Sequence, residues 1–169
     1  MLAAYTLIHV VVSLVGIATG LVVAFGLLRG RRLDQWTAWF LATTTATSVT
    51  GFGFPVDRFL PSHAVGLVSL MVLAIACYAR YARRLETRGW RAAYAISAVL
   101  ALHLNVFVLV VQLFLKVPAL NALAPTQTEP PFQITQLAVF VVFAALAAAA
   151  VVRIRPGLDG VRGLRLDRS

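Results

Sequence analysis

The sequence predicts an all-α, polytopic membrane protein: a bundle of five transmembrane helices with the N-terminus outside and the C-terminus in the cytoplasm. Three observations carry this. Of the 169 residues, 60% are hydrophobic and the mean hydropathy is +0.87, above the roughly 45–50% apolar content of soluble domains. The apolar residues fall into five runs, each near the ~20 helical residues that a ~30 Å hydrocarbon core requires. The basic residues gather in alternate connections between these runs. At this length one compact bundle leaves no room for a separate soluble domain.

Helix one covers about residues 2–28. Its Gly16-Ile17-Ala18-Thr19-Gly20 stretch removes side-chain bulk and lets another helix approach, so Gly16 and Gly20 are read as helix-packing residues. The run is too long for a secretory signal, and its arginines follow it rather than precede it, so it is expected to be retained. A basic turn leads to helix two, about 36–54, with Asp34 as its cap and Trp36 and Trp39 at the interface. Gly51 and Gly53 end it before Pro55. Its middle carries Thr43, Thr44, Thr45, Thr47, Ser48 and Thr50, hydroxyls that can bond to carbonyls one turn back.

A short loop with Asp57 and Arg58 precedes helix three, about 63–81. A basic loop follows, in which Gly89 is expected to break the helix. Helix four, about 92–115, has no formal charge yet holds His103, Asn105 and Gln112. Residues 116–131 contain Pro118, Pro125, Pro130 and Pro131, which argues against a sixth span and leaves open whether the connection is ordered. Helix five, about 132–152, ends in an alanine-rich surface suited to tight packing. Residues 1–152 therefore form the bundle and 153–169 a basic cytoplasmic tail.

Five spans put the two ends on opposite sides. Three arginines follow helix one, five lie between Arg80 and Arg91, and five lie in the tail, so 13 of the 15 basic residues share a side. The positive-inside rule makes that side cytoplasmic, in a bacterial-type inner membrane with a periplasmic N-terminus. The net charge of +9 then reads as topology and contact with the lipid bilayer, and nucleic acid is not an expected partner. The single cysteine, Cys77, excludes an internal disulfide and a cysteine-rich metal site; no metal is expected.

Polar side chains inside a membrane are costly unless they face other helices, water or a ligand. In the expected orientation His9, Thr47, Asn105 and Gln112 fall in the outer half and His103 near the midplane. These five are the candidate lining of an outward-facing polar pocket. Haem b is the cofactor considered, with His9 and His103 as ligands on facing helices. At 1.5 Å per residue the two imidazoles differ in depth by ~8 Å, which is awkward for one iron. No Ser-His-Asp arrangement, paired intramembrane carboxylate or phosphate loop is present, so no catalytic residue is named and an enzyme is not the favoured reading.

The run from Asn105 to Phe132, with Gln112, Lys116-Val117-Pro118 and Ala124-Pro-Thr-Gln-Thr-Glu-Pro-Pro131, resembles segments of small uncharacterised multi-pass inner-membrane proteins of bacteria. The resemblance implies a multi-pass architecture and no particular activity. The leading expectation is a non-enzymatic membrane protein whose outward pocket binds a small molecule or cofactor, or relays an ion for transport. The alternatives are an accessory or assembly subunit docking a homo- or hetero-oligomeric membrane partner, and a b-type haem electron-transfer protein.

Overall fold

The computed structural model describes residues 1–54 and 61–154. These form helices α1 (Leu2–Leu28), α2 (Asp34–Gly51), α3 (Pro61–Cys77), α4 (Arg88–Lys116), α5 (Pro118–Leu123) and α6 (Pro130–Val152), with no strand among the described residues. A π turn at Tyr78–Ala82 prolongs α3. Among the described residues four elements are long and apolar enough to cross a membrane: α1, α3 with its π turn, α4 and α6. The expected fifth span, α2, falls short of that measure, because its seven hydroxyl-bearing residues, Thr37 to Thr50, dilute an 18-residue helix.

The five long helices alternate in direction. Gly16 and Gly20 of α1 lie against Thr44 and Phe40 of α2, and against Asn105 and Leu102 of α4, so α1 runs antiparallel to both. Ser48 of α2 meets Ser69 of α3, and His103 of α4 meets Phe140 and Phe143 of α6. The core they enclose contains Phe40, Leu41, Leu73, Ala76, Ala98 and Leu102, with Phe143 supplied by α6.

Helix α2 holds the bundle together through polar contacts. Ser48 Oγ donates to Ser69 Oγ of α3 at 3.0 Å, Thr37 and Tyr94 of α4 share a bond of 3.1 Å, and Asn105 Nδ2 of α4 donates to Thr44 Oγ1 at 3.4 Å. Toward α1, Tyr5 Oη donates to the Thr50 carbonyl at 2.6 Å and His9 Nδ1 bonds with Thr50 Oγ1 at 2.8 Å. Bonds of this kind contribute about 0.6 kcal/mol each in membrane bundles. Thr43 and Thr50 also donate to carbonyls four residues back.

Several boundaries differ from expectation. Asp34 is not the cap of α2; it is the first helical residue, Leu33 precedes it, and its carboxylate pairs with Arg80 instead. Gly89 does not break a helix. Thr87 caps α4 by accepting from the Trp90 amide at 3.3 Å, and α4 runs through Gly89 from Arg88. Residues 116–131 are ordered: α5 is followed by a turn in which Glu129 accepts from the Thr126 hydroxyl and the Thr126 and Thr128 amides. Gln127 reaches back to the Val111 carbonyl at 2.9 Å, which ties this segment to α4. Pro130 and Pro131 then open α6, two residues earlier than expected, where a proline's missing N–H has no helical partner to lose. Of the alanine-rich surface of α6, Ala150 and Ala147 meet the core while Ala144, Ala145, Ala148 and Ala149 face outward. The expected loop around Asp57 and Arg58 and the tail beyond Ile154 lie outside the described residues.

Candidate functional site

The arginine-rich end of the bundle does not close. Between the end of α1, the start of α2, the π turn, the start of α4 and the end of α6 lies a cavity of about 450 Å³. Arg29, Arg31, Arg32, Arg80, Arg91 and Arg153 line it, while Val23, Leu27, Leu85, Ala95, Ala150 and Ile154 supply its apolar surface. Thr37 and Tyr94, bonded to each other, contribute hydroxyls. The described lining includes no carboxylate, imidazole or thiol.

Local sequence explains how each wall is placed. Helix α1 ends in a Schellman motif: the Arg31 amide donates to the Gly26 carbonyl at 2.9 Å and the Gly30 amide to Leu27 at 3.1 Å. This requires a left-handed residue, and Gly30 has φ +63°. The reversal brings Arg31, Arg32 and Leu33 back across the helix end. On α3 the inner face is Val72, Leu73, Ala76 and Ala79, all buried, and Arg80 follows Ala76 by one turn on that face. The π turn there closes through the Arg83 amide and the Tyr78 carbonyl at 2.9 Å. Extra-wide turns of this sort are frequent at functional sites. Arg84 and Leu85 then take φ of 46° and 56°, a conformation costing non-glycine residues about 1–3 kcal/mol each. What it gains is Leu85, folded back and buried in the cavity wall.

Arg80 is held at several points. Its side chain is 11% exposed, its guanidinium lies 5.7 Å from the Tyr94 ring centroid, and it forms an ion pair with Asp34, which is itself 78% exposed. Guanidinium groups stay charged at every relevant pH, so six of them around one cavity create a persistent positive potential. That potential suits the cavity to binding an anion.

The five residues expected to line one polar pocket are not brought together. His9, Thr47 and Asn105 lie along the seam that α2 makes with α1 and α4. His9 is bonded to Thr50 and lies edge-on to Phe54, and Asn105 is bonded to Thr44. His103 points the other way around α4, against Phe140 and Phe143 of α6. Gln112 is exposed near the end of α4. The two imidazoles also differ in level. Gly16 lies beside Asn105, so His9 is seven residues to one side of that level and His103 two to the other, roughly 13 Å apart at 1.5 Å per residue. They face different seams, and one haem iron between them does not fit that placement. Gly16 and Gly20 both face α2 and α4 of their own bundle.

Thr47 Oγ1 is buried on this seam without a hydrogen-bond partner among the described residues, as are His103 Nδ1 on the α4–α6 seam and Gln136 Oε1. A buried unsatisfied hydroxyl costs about 1–3 kcal/mol. Thr47→Val, nearly equal in volume, is therefore expected to raise thermal stability by about 1 kcal/mol in detergent. A loss of similar size instead would mean that the hydroxyl serves a ligand in the seam.

Sequence reasoning treated the arginines as topology signals and so missed the cleft. A signal was present. Arg80 falls one turn beyond Ala76 in an apolar helix, and Asp34 is the one acid in the first basic turn. Comparison with known proteins adds no identity: no family model, no curated protein and no solved structure matches the chain.

Proposed function

We propose that this chain is a non-enzymatic, five-span membrane protein that holds the phosphate headgroup of an anionic lipid in its arginine-lined cleft. The reading keeps α2 as the fifth span. At 18 residues it is ~27 Å long, and it runs beside α1 and α3 with its hydroxyls bonded to neighbours. It also keeps the N-terminus periplasmic and the arginine-rich end at the cytoplasmic face of a bacterial-type inner membrane, following the charge bias. Small-molecule binding stays, but the site moves from the outer half to the cytoplasmic end.

One observation carries the proposal. Six arginines and an apolar wall share one cavity between helix ends, the level at which lipid headgroups lie. Basic pockets between transmembrane helices on the cytoplasmic side bind anionic headgroups, and guanidinium forks match phosphate oxygens two at a time. The apolar lining suits the glycerol and first methylenes of a lipid better than a fully hydrated anion.

The test is lipid retention by the purified full chain in nanodiscs. Native mass spectrometry is expected to find phosphatidate retained over phosphatidylcholine, with retention falling as salt rises. Equal retention of the two lipids would overturn the proposal. So would inorganic phosphate binding in phosphatidylcholine discs as tightly as phosphatidate does.

A further inference from the structure

Thr37 and Tyr94 bring two hydroxyls to the cleft, both residues buried at 3% exposure and bonded to each other at 3.1 Å. Two hydroxyls carry two hydrogens. The mutual bond uses one, and neither oxygen makes another hydrogen bond among the described residues. Thr43 and Thr50 on the same helix, and Ser97 on α4, send their hydrogens to carbonyls four residues back; Thr37 does not. One hydrogen of the pair is therefore left for whatever fills the cavity. A buried donor without an acceptor is costly, so a well-fitted occupant brings an acceptor to that point.

Depth decides what kind of acceptor that is. Arg80 bonds to Asp34, the first residue of α2, which puts the guanidinium at that helix end. Thr37 lies three residues further in and Tyr94 six residues into α4, about 4.5 and 9 Å from the helix ends at 1.5 Å per residue. The wall at that level also holds Val23 and Ala95, both apolar and buried. A lipid whose phosphate sits with Arg80 turns its glycerol inward, and the first strong acceptor inward of the phosphate is an ester carbonyl. The phosphate oxygens themselves are better served by the guanidinium groups, whose charge-assisted bonds are about twice as strong as neutral ones. Resting on the anion-binding reading above, we infer that the Thr37–Tyr94 pair is a subsite for that ester carbonyl, and that the cleft takes an ester-linked glycerophospholipid in preference to its ether-linked counterpart. The ether lipid has the same phosphate and chains but no carbonyl, so it leaves the spare hydrogen with weakly accepting ether oxygens.

The test is the ratio of diacyl to dialkyl phosphatidate retained by the purified full chain, each in an otherwise phosphatidylcholine nanodisc. The wild type is expected to favour the diacyl lipid about two- to tenfold, the worth of one neutral hydrogen bond. Either hydroxyl alone still carries a hydrogen, so the decisive variant removes both: Thr37→Val together with Tyr94→Phe. Replacing both partners by groups of the same shape leaves no polar atom unpaired, and the ring that faces Arg80 is kept. Dialkyl retention is expected to stay at the wild-type level while the ratio falls to near unity. Should the wild type hold phosphatidate over phosphatidylcholine yet take both linkages equally, the spare hydrogen serves no carbonyl, and the inference is overturned while the cleft stands. This comparison needs no variant, so it decides even where the double variant fails to fold. A double variant that elutes as the wild type does and keeps the preference, or loses both lipids alike, overturns the inference too. If neither linkage is retained over phosphatidylcholine, the cleft reading itself falls.

Discussion

Arg80→Gln is expected to lower phosphatidate retention about tenfold or more, because it removes a cation fixed at the cavity wall. Hydrogen bonds to a charged group are worth about 1.5–3 kcal/mol, and roughly 1.4 kcal/mol is a factor of ten. The substitution also acts on the fold. It ends the ion pair with Asp34 and the contact over the Tyr94 ring; a cation over an aromatic face contributes about 0.5–2 kcal/mol. The freed Asp34 remains in solvent, so no buried charge is stranded. Thermal unfolding should therefore fall modestly while binding falls strongly. Arg80→Lys separates the two: it keeps the charge, loses the planar fork, and is expected to lie between wild type and Gln in binding. Arg88→Gln removes the same charge from an exposed residue outside the cavity and should leave phosphatidate retention near wild type. An equal loss in Arg88→Gln and Arg80→Gln would reduce the cleft to diffuse surface charge.

What could be read from the sequence follows from how local each cause is. The apolar spans α1, α3, α4 and α6 were legible because bilayer thickness imposes a length on contiguous residues, and those residues are neighbours in the chain. The polarity of α2 was legible too, but not its use, because Ser48–Ser69, Thr37–Tyr94 and Thr44–Asn105 pair residues on different helices. Gly89 misled for a related reason. A glycine is a weak breaker, and the Thr87 cap together with Tyr94 and Ala95 buried further along outweighs its ~1 kcal/mol cost. Residues 116–131 gave no decision, since their order depends on Gln127 and Gln136 reaching carbonyls of α4. The expected pocket took no account of rotation about the helix. His103 and Asn105 are two residues apart, hence about 200° apart around a helix with 3.6 residues per turn. In the structure Asn105 accordingly faces α2 while His103 faces α6. The cleft was harder to read because it is a meeting of five helix ends, and only the placing of Arg80 and Asp34 hinted at it.

Gly20→Leu is expected to abolish the folded bundle, and the reason is the three-helix junction it would enter. Even a methyl group at Gly20 would lie 2.7 Å from Leu102 Cδ1 and 2.7 Å from Phe40 Cε2. Both neighbours are 1% exposed, locked between α1, α2 and α4, so neither can turn aside without displacing other core residues. Overpacking of this kind costs about 1–3 kcal/mol for small additions, a large share of a bundle's stability, and four carbons greatly exceed a small addition. Gly16 offers the comparison within the same motif. A methyl there would lie 3.2 Å from Thr44 Oγ1 and 3.3 Å from Asn105 Nδ2 and Thr43 Oγ1, clearances wider than those at Gly20. Gly16→Ala should be close to neutral, since relief of the glycine's helix cost of ~1 kcal/mol offsets the tighter contact. Thermal unfolding and size-exclusion of the detergent-purified chain read all of these variants. The pair Gly20→Ala and Gly20→Ala with Leu102→Ala decides the cause: if crowding against Leu102 is responsible, the second substitution recovers part of the loss, although alone it would open a cavity. Were Gly20→Ala as stable as the wild type, α1 would not approach α2 and α4 as closely as described, and the seam that seats His9, Thr47 and Asn105 would be wider than these contacts require.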